Sequence, residues 1–230
     1  MNFTQGNGSN MPPEPTRTIL VWDLPTRLFH WLLVMLVLTS FVTGELGGLW
    51  MRYHKLSGYC ILGLIVFRLA WGFFGGQHAR FSSFVRGPGA VLRYARNLLR
   101  DDTPGFIGHN PMGGWSVLAM LASLLVQAAT GLFANDDIMT KGPLYPWVSK
   151  ATSDLLTQIH LFNQGLILTL VAVHVMAILF YLINKHENLI RPMLTGRKSW
   201  PGEGQASENR LARALLIAGL SATGVYLLVR

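Results

Sequence analysis

In the stretch QIHLFNQGLILTLVAVH, Gln158 to His174, two histidines stand fourteen residues apart in a run of Leu, Ile, Val and Ala. On an α-helix each residue turns about 100° and rises about 1.5 Å, so fourteen steps bring a side chain back to within about 40° of its start, about 21 Å further along. His160 and His174 would therefore face one way at two depths. Five more histidines occur: His30, His54, His78, His109 and His186. An imidazole in an apolar run is either a metal ligand or a hydrogen-bonded core residue. The choice depends on the elements that carry it.

Those elements belong in a membrane. Half of the 230 residues are hydrophobic and 13% are charged, against about a quarter charged in soluble domains. Mean hydropathy is +0.35. Five apolar runs stand out: Leu28 to about Leu46, Leu56–Phe74, Trp115–Phe133, His160–Ile183 and Leu211–Val229. Each approaches the ~20 residues that cross a ~30 Å hydrocarbon layer as a helix. They are too long for strands, and in lipid only helices and closed barrels satisfy their backbone groups. The expected class is an all-α integral membrane protein: a four-helix transmembrane bundle plus a fifth, C-terminal transmembrane helix. Arg213 interrupts the start of the last run, for which an interfacial tail is the alternative reading. No cleavage pattern follows the first run, so it is read as a retained helix and not as a signal peptide.

The rest of the chain is organised around these spans. The expected division is a disordered cytoplasmic tail over residues 1–18, rich in Gly, Asn and Pro, then a membrane domain over 19–195. A cytoplasmic linker over 196–210 and the fifth helix over 211–230 follow. Thirteen Lys and Arg fall on the N-terminal side of the membrane and five on the other, with Arg68 inside a span. Positive charge marks the cytoplasmic side, so the N-terminus is expected inside, in a bacterial inner membrane. This pattern accounts for the net charge of +8 without nucleic acid. GAVLRYARNLLR, Gly89 to Arg100, reads as an amphipathic helix on the cytoplasmic surface. The single cysteine, Cys60, excludes an internal disulfide and any Cys-based metal cluster within one chain.

Depth then sorts the histidines. His78, His109 and His186 fall in cytoplasmic loops and are expected to be exposed. His30 opens the first span on the inner side, and His54 opens the second on the outer side. His160 opens the fourth on the outer side, with His174 about 21 Å deeper. His54 thus matches His160, and His30 matches His174. Two stacked pairs of imidazoles are what two six-coordinate b-type haems require, one ligand on either side of each iron. No CxxCH motif is present, so attachment would be non-covalent. A zinc site would want its ligands at one point, whereas these split by about 21 Å.

Other residues share these levels. Arg68 lies fourteen after His54 and is expected to meet a haem propionate at the inner level. Arg27, one turn before His30, could do the same. Gly44 lies fourteen after His30, so the first helix presents only a hydrogen at the outer level. Gly58 and Gly165 lie close to His54 and His160, where a flat macrocycle would need near approach of backbone. No internal repeat is evident.

The segments VWDLPTRLFHWLL, HKLSGYCILGLIVFRLAWGFFG, HARFSSF and GHNPMGGWSV resemble the bacterial cytochrome b561 family, which includes the b-type cytochrome subunit of nickel-iron hydrogenases. The resemblance runs from about Val21 to about Leu194. It implies a four-helix core with two haems b held through histidines of the first, second and fourth helices, here His30, His54, His160 and His174. It also implies electron transfer in a respiratory chain between quinone and a partner redox protein or small oxidant. Arg80, His78 and the loop around His109 are inner-side candidates for a quinone site. One alternative is a haem-bearing anchor of a larger complex, with a hydrogenase or c-type cytochrome subunit. Another is a histidine-lined metal or proton transporter without haem.

Overall fold

The computed structural model describes residues 16–100, 105–201 and 204–230. A strand β1, Thr16–Leu20, leads into α1, Leu24–Leu46. Next come α2, Met51–Phe74, and two short helices, α3, Phe81–Phe84, and α4, Pro88–Asn97. Two long helices follow, α5, Pro111–Gly131, and α6, Lys150–Asn184. The chain closes with α7, Ile190–Thr195, strand β2, Arg197–Pro201, and α8, Leu211–Val229. Five of the helices are long and apolar enough to cross a membrane, and α8 is the fifth.

Local chemistry sets where these helices start. Asp23 accepts the Thr26 N–H at 2.9 Å, and Pro25 sits in the first turn, where its missing N–H costs nothing. Asn110 caps α5 in the same way through the Gly113 N–H, ahead of Pro111. Ser149 starts α6 about ten residues before the apolar run begins. At 35 residues α6 is about 50 Å long, more than a hydrocarbon layer needs, so its first turns stand outside.

α2 is the central helix. It packs on α1, α5 and α8, and carries the fully enclosed Ile65 and Trp71. At the inner end Phe29, Phe67, Trp71, Leu121 and Ala214 form one apolar cluster. Toward the outer end Leu62, Leu132, Leu144 and Val225 form another. α6 packs along α5 and makes little contact with α1. Arg213, the charge that interrupted the last run, donates Nη1 to the Phe74 carbonyl at 3.0 Å. It thereby satisfies an open acceptor at the end of α2, and α8 continues unbroken.

The two strands were not expected. β1 pairs antiparallel with β2, Thr16 opposite Pro201 and Leu20 opposite Arg197. The Gly196 carbonyl extends the link, accepting from Val21 at 2.8 Å and Trp22 at 3.1 Å. Thr16–Thr18 of the expected tail and Arg197–Pro201 of the expected linker are therefore paired backbone. Each is only five residues long, too short for a periodic signal, and the partners lie far apart in sequence. Residues 1–15, the rest of that tail, fall outside the described residues.

Candidate functional site: two histidine pairs between helices

The outer pair joins α2 to α6. The His54 and His160 rings have centroids 6.1 Å apart, at an interplanar angle of 77°. His54 Nδ1 donates to the Ser40 carbonyl of α1 at 2.7 Å. His160 Nδ1 donates to the Gln127 carbonyl of α5 at 2.9 Å. A carbonyl accepts only, so both Nδ1 atoms carry the proton and both Nε2 atoms keep a free lone pair. That is the tautomer a metal-binding imidazole needs.

Close helix approach makes this possible. A Cβ on Gly44 would stand 2.9 Å from His54 Nδ1, and one on Gly131 would stand 2.9 Å from His160 Cε1. Any side chain at either glycine would push the ring off its carbonyl. Gly58 faces open space and, with Gly44 and Gly131, lines a cleft of about 110 Å³ between the two rings. Gly165 also faces open space but does not line the cleft.

The inner pair joins α1 to α6. His30 and His174 have ring centroids 6.4 Å apart at 52°. Trp31 meets the His30 ring edge-on at 4.9 Å. His30 Nδ1 is enclosed and has no hydrogen-bond partner among the described residues. Beside this pair opens a cavity of about 640 Å³, bounded by Trp22, Trp31, His109, Tyr94, Tyr181 and Lys198 among others. Its wall holds a polar network. The Tyr94 and Tyr181 hydroxyls are 2.6 Å apart, and Asn110 Nδ2 donates to Tyr181 at 2.7 Å. Burial raises the Tyr94 phenol above its ordinary range, so it stays protonated and able to donate.

A six-coordinate iron holds its two imidazole centroids about 6 Å apart, from two bonds of about 2 Å and about 1 Å from each nitrogen to its ring centre. Both pairs meet that separation. The glycine faces and the carbonyl-held Nδ1 atoms fit a haem in the outer site. The volume and the unpartnered His30 Nδ1 fit one in the inner site. The outer cleft is narrow, walled by α6, which packs on α5 and makes little contact with α1. Among the described residues, no three of His, Cys, Asp and Glu gather as they would around zinc.

The two arginines expected near the haems, Arg27 and Arg68, lie outside both linings. Arg27 Nη1 donates to the Leu194 carbonyl at 2.7 Å. Arg68 is 3% exposed, lies 5.2 Å over the Phe81 ring, and has Asp23 as its interacting acid. No acid occurs within the second apolar run. Asp23 acts on Arg68 through its charge from the cap of α1, a neighbour only the fold reveals, while Arg68 Nη1 is buried with no hydrogen-bond partner among the described residues.

Of the three loop histidines, His186 is exposed. His78 is half-buried and donates to the Gln205 carbonyl at 2.8 Å. The expectation for His109 is corrected. It packs between the Trp22 and Phe84 rings, each 4.7 Å away, and lines the inner cavity. Burial, then the nearby Arg68 cation, lowers its pKa to about 3, so it is neutral at physiological pH. Lys198 anchors this loop by donating to the Phe106 carbonyl, which folds it under Trp22.

A relative from Rhizobium leguminosarum bv. viciae, "Probable Ni/Fe-hydrogenase B-type cytochrome subunit", is 23% identical over 216 residues, covering 79% of this chain and 89% of that protein. No solved structure matches. The description of one family, prokaryotic cytochrome b561, matches residues 21–196, a stretch that holds all four paired histidines. The chain accordingly belongs to the prokaryotic cytochrome b561 family, as a multi-pass bacterial membrane protein and a b-type cytochrome of electron transfer.

Proposed function

We propose that this chain holds two haems b, one between His54 and His160 and one between His30 and His174. In this reading it conducts electrons between the quinone pool and a redox partner of a respiratory chain. The observation that carries it is the pair of ring separations, 6.1 and 6.4 Å, at two levels of one helix face. When bound, each haem supplies an iron that takes and gives one electron. The chain's own residues do the rest. His54 and His160 are held in the ligating tautomer by the Ser40 and Gln127 carbonyls. Trp31 packs edge-on against His30, and Trp22 and Phe84 pack against the neighbouring His109. Positive charge on the loops puts the N-terminus in the cytoplasm and the His54/His160 pair toward the outer face.

The purified protein should contain two haems b per chain in a pyridine haemochrome assay. His54→Ala and His160→Ala should each remove the same low-spin signal, and His30→Ala and His174→Ala the other. A single haem, or His54 and His174 variants that lose the same signal, would overturn this reading. A second reading makes the chain the haem-bearing membrane anchor of a larger complex. The name of the Rhizobium relative favours it. Co-purification with a hydrophilic redox subunit from native membranes would establish it.

A further inference from the structure

Two helix turns in this protein are built alike. In α1, Thr43 Oγ1 donates to the Thr39 carbonyl at 2.6 Å and reaches the Ser40 carbonyl at 3.3 Å. In α5, Thr130 Oγ1 donates to the Val126 carbonyl at 2.7 Å and reaches the Gln127 carbonyl at 3.1 Å. Each threonine is buried, and each is followed by the glycine that admits a histidine ring. The two carbonyls they share, Ser40 and Gln127, are those that accept Nδ1–H from His54 and His160. The same threonine-to-carbonyl arrangement thus backs both imidazoles of the outer pair, with a further hydroxyl near each Nδ1, that of Thr130 itself at 3.3 Å from His160 and that of Ser40 at 3.4 Å from His54. No such contact backs His30, whose Nδ1 has no partner among the described residues.

We propose that Thr43 and Thr130 are positioning residues that set the reduction potential of the haem held between His54 and His160. This rests on the ligation proposed above. A carbonyl that accepts Nδ1–H draws the proton partly off the ring, makes Nε2 more electron-rich and favours the ferric state. A second donor on the same oxygen takes up part of its lone-pair density and weakens that pull. The two hydroxyls therefore hold both ligands less anionic and favour the ferrous state. A hydroxyl bonded back into its own helix also tilts carbonyls outward. The imidazole bonds are already 2.7 and 2.9 Å, full hydrogen-bond length, so tilting adds little and the electronic effect decides the sign.

The test is a redox titration of the intact protein in detergent, with the two one-electron components assigned through the histidine variants. Thr43→Val and Thr130→Val keep the shape and remove the hydroxyl. Thr43→Ala and Thr130→Ala serve where valine is not accommodated. Each should retain two haems and lower the outer potential, shifting its reduction equilibrium about three- to tenfold, or about 30–60 mV. Thr130, the closer hydroxyl, should give the larger shift, and the double variant roughly the sum. Thr43→Ser and Thr130→Ser should restore the original value, and the inner potential should stay put. An unmoved outer potential at full haem content, or serine variants that behave like valine, would overturn the proposal. Absence of the outer haem from the unsubstituted protein would overturn the ligation itself, and this inference with it.

Discussion

A glycine beside an imidazole is the most sensitive position in the outer site. At Gly44 a new Cβ would meet His54 Nδ1, and the ring would lose the Ser40 carbonyl. Gly44→Val should therefore weaken outer haem binding by about ten- to a hundredfold and leave the inner haem in place, read as haem content against added haemin. Arg68 offers a different contrast. An unpaired guanidinium at this depth costs at least ~2.5 kcal/mol, and Asp23 is the charge on hand to offset it. Arg68→Leu should lower thermal stability, and Asp23→Asn should recover part of that loss in the double variant. The sequence expectation of a haem propionate as the partner makes the opposite forecast. In that case the inner haem is lost, and changing Asp23 restores nothing.

Elements account for what was readable in advance. The five spans were legible because apolar runs of membrane length have few other structures open to them. The pairing of histidines by depth followed from helix rise alone, and the structure brings the centroids of the same rings within 6.4 Å of each other, at steep interplanar angles. The matching Thr-Gly turns of α1 and α5 were not legible. The glycines lie 87 residues apart and the histidines they admit 106 apart, so no single repeat period links them. Helix spacing also placed Arg68 level with His174, but it could not say which helix each would face. His109 was misread because a loop position says nothing about the aromatic rings folded over it. α8 stands apart from this machinery. It packs on α2, where Ala214 joins Phe67 and Trp71 and Val225 joins Leu62. A chain ending after Asn209 should keep both haems, measured by haemochrome, while losing several degrees of apparent melting temperature.

At the scale of the molecule, the distribution of basic residues forecasts the direction of the bundle. The turn at Asp136–Thr140 leaves Ile138 and Met139 at 86% and 89% exposure, on the face expected outside. A cysteine placed at Ile138, with Cys60 changed to Ser, should react with an impermeant maleimide in intact cells. A cysteine at Arg96 should react only after the membrane is opened. Reversed labelling would invert the topology. The β1–β2 ribbon fastens the two ends of this domain together on the other face. β1 is synthesised first, yet its partner begins 177 residues later, after four spans have been made. At ~5–20 residues per second the first strand waits roughly ten to thirty-five seconds for the second. Its five residues remain an open edge for that time, and the ribbon closes only on a chain whose four preceding helices have already been delivered to the membrane.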